Sequence, residues 1–278
     1  AERLAPANRE FKLFVEFFPS QSLSKNVYEK GKFDVITAIS VFYDFPQPRQ
    51  ALQEMSQLLS DQGIICLEQS YLIEMINKNA FDSVCHEHLL YLSLTGIKFL
   101  AESAGLVVVD AETNKVNGGS IRVYLKKKSR ALNVNNNQID MLISRESFYS
   151  NFLQQIWKDF ESKLRLNQKR IKDMVAKVQK DNLLICGLGA STKGNVILHA
   201  FGLSSKEVSF IGEINETKFG CVTPGTKIPI VAESKIFELE DRIGMIIVLP
   251  WHFQEMFNNE VRYKSIRHKF VYPMGNMI

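Results

Sequence analysis

Leu106-Val107-Val108-Val109-Asp110, then Asn114-Lys115-Val116-Asn117-Gly118-Gly119, then Ser120-Ile121-Arg122-Val123-Tyr124-Leu125 is the stretch whose reading decides the fold. Its outer runs are β-branched and of strand length, and the polar, glycine-bearing link between them is too short for a helical crossover. The two runs must therefore pair antiparallel. Upstream the pattern differs. Apolar runs at Phe11 to Val15, Phe33 to Ser40 and Gly63 to Glu68 alternate with helical spacing at Gln47 to Leu59 and Leu94 to Ala104, the mark of a parallel sheet covered by helices. The expected domain is α/β and doubly wound, with strands near 11–15, 33–39, 63–68, 106–112 and 120–125, the last two forming a closing hairpin.

Downstream, the polar, turn-forming Asn133 to Gln138 places a domain boundary near residue 130. Phe148 to Gln179 carries apolar residues at helical spacing with no Gly or Pro, and reads as one long connecting helix. A second, smaller α/β unit follows, with strands at Leu183 to Gly187, Val208 to Ile214, Met245 to Leu249 and Lys269 to Tyr272, and a helix at Lys193 to Phe201. The expected division is 1–130, 131–180 and 181–278.

With 278 residues, 45% of them hydrophobic, the chain can bury a large core. Its net charge of +4 is spread rather than gathered into a basic stripe, which argues against a nucleic-acid partner. No apolar run approaches the roughly 20 residues that span a bilayer, and the polar start is not a signal peptide. The four cysteines form no C-x-x-C pair, so a cytoplasmic protein is expected.

The densest chemistry is Phe81-Asp82-Ser83-Val84-Cys85-His86-Glu87-His88, two imidazoles and a carboxylate just before an amphipathic helix. Imidazole titrates near neutrality and a neighbouring carboxylate can orient it, so His88 with Glu87 is a candidate general base, with His86 in support. A solvated loop is the plain alternative, and a metal site would need further ligands. Elsewhere, functional groups are expected where apolar strands end. Glu16-Phe17, Ile39-Ser40 with Tyr43, and Glu68-Gln69-Ser70-Tyr71 stand at such ends. In the second unit, Gly187-Leu188-Gly189-Ala190-Ser191-Thr192-Lys193-Gly194-Asn195 joins a strand to a helix. Amides at the helix start and a lysine suit a phosphate, and tight strand–helix packing is the plain alternative. Glu213 and Trp251 close later strands and open onto the same crevice. Because Glu213 lies where a ribose-binding acid would stand, an NAD-type oxidoreductase is a competing reading, weakened by the missing third glycine. A nucleotide-sugar-binding module without turnover is the third.

The ordered segments FYDFPQP, LEQSY, FDSVCHEHLLYLSL, NGGSIRVYL, GLGASTKGN, TPGTKIPI and LPWHF resemble the sugar C-methyltransferases that act on nucleotide-linked keto-sugars. The resemblance implies a class I methyltransferase (Rossmann-like) sheet and S-adenosyl-L-methionine as cofactor. It implies a nucleotide-linked sugar as substrate and no catalytic metal. It assigns proton removal beside the ketone to His88 and substrate contact to Glu87, with His86 and Tyr43 nearby. It places the donor on Glu16, Phe17, Ile39 and Ser40, and the substrate on Tyr91, Asn117, Ser191, Lys193, Gly194, Asn195, Glu213 and Trp251. Cys85 stands where some relatives have tyrosine, and Asp44 where others have histidine, so the sugar and the stereochemistry stay open. The family's glycine-rich donor turn, its ribose-binding acid and its zinc module do not occur before Phe11. The sheet is therefore expected to be incomplete, the chain to be a fragment of a longer enzyme, and its own affinity for the donor to be low.

Overall fold

The computed structural model describes residues 13–130 and 134–274. Its strands are β1 (Phe33–Ile39), β2 (Leu59–Ser70), β3 (Leu106–Asn114), β4 (Ser120–Lys127), β5 (Leu184–Leu188), β6 (Phe210–Glu213), β7 (Ile230–Ala232), β8 (Ile243–Val248) and β9 (Phe270–Val271). The helices are α1 (Gln21–Lys30), α2 (Pro48–Leu58), α3 (Leu72–Asn77), α4 (Leu94–Ser103), α5 (Asn136–Asn151), α6 (Leu153–Lys180), α7 (Thr192–Phe201), α8 (Ser234–Glu238) and α9 (Gln254–Asn259). They divide between two units, one of Ala1–Gln69, Leu92–Asn114 and Ile121–Glu146, the other of Ser70–Tyr91, Lys115–Ser120 and Ser147–Ile278.

In the first unit the sheet order is β1-β2-β4-β3. β1 and β2 are parallel, in register from Val35 opposite Ile64 to Ile39 opposite Glu68. Helix α2 is the crossover between them. It opens on Pro48, where no backbone N–H is needed, and buries the stripe Ala51, Leu52, Met55 and Leu58. β3 and β4 run antiparallel, as the short link requires: Lys128, just past β4, donates to the carbonyl of Gly105, just before β3. Nearer the turn, Arg122 reaches Glu112. Helix α4 lies on β3 and against α2. Its N-terminus is closed by Glu146 of α5, whose buried carboxylate accepts from the amides of Leu94 (2.6 Å) and Thr95 (2.9 Å) and from the Thr95 hydroxyl. A carboxylate there meets both the orphan amides and the helix dipole.

The second unit has a five-stranded sheet of order β7-β6-β5-β8-β9, and every pair in it is parallel. The chain steps outward from β5 through β6 to β7, then restarts on the other side with β8 and β9, so the topological switch lies between β5 and β8. Ile185, Met245 and Ile247 pack with Ile197, Leu198 and Phe201 of α7 and with Ile171 and Val175 of α6. Phe81 joins that core, its ring 5.5 Å from Phe201.

Three expectations are corrected. Leu13–Val15 are irregular chain rather than strand, and Phe11 lies outside the described residues. Apolar content is compatible with a strand but does not supply the neighbour that a ladder needs. The single long helix is two helices, broken at Phe152 with ψ 24°. Its halves serve different cores: Ile139 and Leu142 of α5 are buried in the first unit, Ile171 and Val175 of α6 in the second. Nor do the units divide contiguously near 130, because residues 70–91 are anchored in the second core by Phe81 and by Asn79, which donates to the Phe160 carbonyl at 2.8 Å.

Candidate active site

His88 is held by its own segment. The carbonyl of Ser83 receives the Cys85 amide at 3.0 Å and lies 2.9 Å from Nδ1 of His88. A carbonyl only accepts, so the proton of neutral His88 sits on Nδ1 and the lone pair on Nε2. The imidazole is half-buried, whereas His86 and Glu87 are exposed in the turn. The Ser83 carbonyl is a partner of His88 that the sequence reading did not name. Tyr91 is partly exposed; burial of its hydroxyl, with Cys85 nearby, raises its pKa.

Three of the expected substrate residues, Asn117, Lys193 and Trp251, come together in the second unit. Lys193 Nζ lies 3.5 Å from the Asn117 carbonyl. Trp251 packs on Gly118, where a Cβ would stand 3.1 Å from the indole; Gly118 also has φ +90°, so a side chain is disfavoured twice. Two residues the sequence reading passed over complete the cluster. Asp82 is fully buried and accepts from the Trp251 indole N–H at 2.7 Å, while its Oδ1 has no partner. Burial pushes its pKa up against the pull of Lys193. His252 is driven down to about 4 by burial and by Lys193, and is therefore neutral near pH 7. The signal for Asp82 lay in its place four residues before His86, in a segment otherwise read only for its imidazoles. A cavity of about 460 Å³ beside this cluster is lined by Trp251, His252 and the cationic Lys78, Lys115 and Lys163.

At the β5–α7 turn, Ser191 caps the helix, its hydroxyl accepting from the Gly194 amide at 3.0 Å. A Cβ on Gly194 would stand 2.9 Å from Leu249 Cβ, so this glycine permits close packing of α7 on the end of β8. The Asn195 amide is bound to the Ser191 carbonyl. Among the described residues, the amides of Ser191, Thr192 and Lys193 keep no intramolecular partner, and these can meet an anion. Glu213 accepts from the amides of Ala190 (2.8 Å), Ile214 (2.8 Å) and Asn215 (3.0 Å), with Lys218 at 3.6 Å. Its burial favours the neutral form, but the three amides and Lys218 outweigh this and lower its pKa.

In the first unit, β1 ends on exposed Ile39 and on Ser40, which has φ +53° and donates its amide to the Glu68 carbonyl at 2.7 Å. Tyr43 is buried. Glu68 is tied to Arg122 at 2.6 Å and to Asn114 at 2.9 Å. Gln69 is fully buried at the carboxyl end of β2 with neither amide atom hydrogen-bonded. Glu16 accepts from Ser20, and Phe17 beside it is 97% exposed. Among the described residues no group of three His, Cys, Asp or Glu side chains could hold a metal, and no helix is long and apolar enough to cross a membrane.

A parallel α/β sheet closed by an antiparallel hairpin defines a class I, Rossmann-like methyltransferase fold, and a methyltransferase-domain model matches residues 2–111. The model of the C-methyltransferase C-terminal domain matches residues 115–274. The C-methyltransferase NovU of Streptomyces niveus is 30% identical over 238 residues, which cover 84% of this chain and 55% of that relative. The chain belongs to the C-methyltransferase family, and it spans about half the length of the curated relative that it matches.

Proposed function

We propose that this chain carries the base and the substrate-holding surface for methyl transfer from S-adenosylmethionine to carbon beside the ketone of a nucleotide-linked sugar. The observation that carries the reading is the Ser83 carbonyl at Nδ1 of His88, which leaves Nε2 as the basic nitrogen. Such a carbon is a weak acid. Nε2 takes its proton, and imidazolium is tolerated because the Nδ1–H bond to the carbonyl strengthens as charge develops. Bound S-adenosylmethionine supplies an electrophilic methyl group.

The first unit suits that donor. The bare ring of Phe17 beside Glu16, the exposed Ile39 with Ser40, and the unpaired amide of buried Gln69 would meet the adenine, ribose and polar tail. Tyr43 stands next to this strand end. On the substrate side, the free amides of Ser191 to Lys193 and the Lys193 charge would hold the diphosphate, with Asn117, Trp251, Asn195 and Tyr91 around the sugar. The four unpaired thiols suit a reducing cytoplasm.

Deuterium wash-in at the carbon beside the ketone tests the base without depending on methyl transfer. The enzyme should catalyse the exchange, and His88→Ala should slow it by about 10²- to 10⁴-fold. Exchange by His88→Ala at the wild-type rate would exclude His88 as the base and direct attention to His86 and Tyr43.

A further inference from the structure

Residues 79–85, which hold His88, have little regular structure of their own. Ala80 (φ −79°, ψ 61°) and Val84 (φ −82°, ψ 74°) occupy the inverse γ-turn region on either side of the short 3₁₀ turn Phe81–Ser83. The amides of Phe81 and Cys85 reach back two residues, to the carbonyls of Asn79 (2.9 Å) and Ser83 (3.0 Å). Turns of this kind carry no ladder that fixes where they point, so side-chain anchors must. Asn79 donates to the Phe160 carbonyl of α6 at 2.8 Å, and Phe81 packs with its ring 5.5 Å from Phe201 of α7. Asp82 accepts from the Trp251 indole, past the end of β8, at 2.7 Å.

Of these anchors, Asp82 stands next to the atom that matters. The Ser83 carbonyl gives one lone pair to the Cys85 amide and the other to Nδ1 of His88. A hydrogen bond weakens steeply as its angle falls towards about 120°, so the aim of this carbonyl decides which nitrogen of His88 keeps the proton. Asp82 is fully buried. Burial raises its pKa, against Lys193, the indole and the backbone N–H groups of Asp82 and Ser83. The same carboxylate thus faces Trp251 on one side and the Ser83 peptide on the other. Burying a carboxylate costs more than burying an apolar side chain of the same size. What the carboxylate adds is direction.

We infer that Asp82 is a positioning residue for the base: tied to Trp251, it aims the Ser83 carbonyl at Nδ1 of His88 and so keeps the lone pair on Nε2. Its catalytic meaning rests on His88 as the base proposed above, whereas the tautomer is a property of the protein without substrate.

Long-range nitrogen–proton NMR spectra of the full chain, prepared with isotope-labelled histidine and no ligand, read that tautomer. His88→Gln assigns its signals among the five histidines. Asp82→Ala and Trp251→Phe remove the hydrogen bond from opposite ends, so either serves if the other does not fold, which circular dichroism checks. Asn79→Gly, compatible with the φ of +52° at that position, removes a neighbouring anchor of the same segment and is the control for general loosening. Wild-type His88 should carry its proton on Nδ1. Asp82→Ala and Trp251→Phe should each shift the ratio towards Nε2–H by about tenfold, the size of one hydrogen bond, and the double variant should shift it no further. Asn79→Gly should change it by less than about threefold. Deuterium wash-in beside the ketone should slow in Asp82→Ala in proportion to the lost Nδ1–H form. Wild-type ratios in both Asp82→Ala and Trp251→Phe, or a wild-type proton on Nε2, would overturn the inference. An equal shift in Asn79→Gly would overturn it by showing that Asp82 is merely structural, and so would a shift that left wash-in at the wild-type rate. Wild-type exchange by His88→Ala would instead remove the base reading, while the spectra would still decide whether Asp82 aims the imidazole.

Discussion

Replacing Trp251 by phenylalanine removes one hydrogen-bond donor, together with the Cζ2–Cη2 edge of the indole that faces Gly118. The indole N–H lies 2.7 Å from Asp82 Oδ2, and Oδ1 already lacks a partner. In the variant, a fully buried carboxylate would lose the indole donor and be left with the backbone N–H groups of Asp82 and Ser83. A hydrogen bond to a charged group contributes about 1.5–3 kcal/mol, and stranding a buried charge costs about 3–5 kcal/mol. The ammonium of Lys193 offsets part of that cost. A loss of about 2–4 kcal/mol is therefore expected for Trp251→Phe. Urea denaturation followed by circular dichroism measures it, with the remaining Trp157 as a fluorescent probe. Asp82→Asn and the double variant complete a cycle in which the pair should couple by more than about 1 kcal/mol. The sign with pH is fixed by the raised pKa of Asp82. A group whose folded pKa lies above its unfolded value loses stability as pH rises through the folded pKa, so the deficit of Trp251→Phe should shrink on acidification. A deficit below about 0.5 kcal/mol at neutral pH, or no coupling, would refute the argument that Asp82 depends on the indole.

Two glycines in helices should respond with opposite signs. Gly194→Ala forces a Cβ to 2.9 Å from Leu249 and should destabilise by about 1–3 kcal/mol. Gly96→Ala, whose nearest neighbour would be Ser93 Oγ at 3.6 Å, should stabilise α4 by up to about 1 kcal/mol in thermal melts. Glu146→Ala strips the N-terminus of α4 of its acceptor and should cost about 2–4 kcal/mol in the same measurement. His252 has its pKa depressed to about 4 from 6.5, so its contribution is complete above 6.5 and is lost as pH falls towards 4. His252→Gln should flatten the denaturation midpoint across that interval, by up to about 2 kcal/mol given the partial exposure of the ring. An unchanged slope would show that His252 takes up its proton as readily folded as unfolded.

The sequence was legible where local pattern and global fold agree. The link from Asn114 to Gly119 left only an antiparallel pairing open, and β3 and β4 adopt it. The crossover α2 and the β5–α7 turn follow from spacing and from Pro48, Ser191 and Gly194. Reading failed where the deciding partner is distant in the chain. Leu13–Val15 look extended but have no ladder, and the break at Phe152 reflects two cores competing for one amphipathic run. Candidate groups fared similarly. Asn117, Lys193 and Trp251 were named separately at strand and turn ends, and folding assembles them. Asp82 stood in a segment already quoted but was not singled out, because its role depends on Trp251, 169 positions away, and the Ser83 carbonyl is a backbone atom that no residue type announces.

The chain passes from one unit to the other five times, after Gln69, Tyr91, Asn114, Ser120 and Glu146. No single peptide bond can therefore be cut to release two intact pieces. A chimera joined near residue 130 would graft a foreign Trp251 and Phe160 onto the resident Asp82 and Asn79, and its success would depend on those two matches rather than on the seam. During synthesis, residues 70–91 emerge well before α6 and the β5–β9 sheet that enclose them. Their burial has to wait until those later elements have been made, and the His88 segment takes its final form only then.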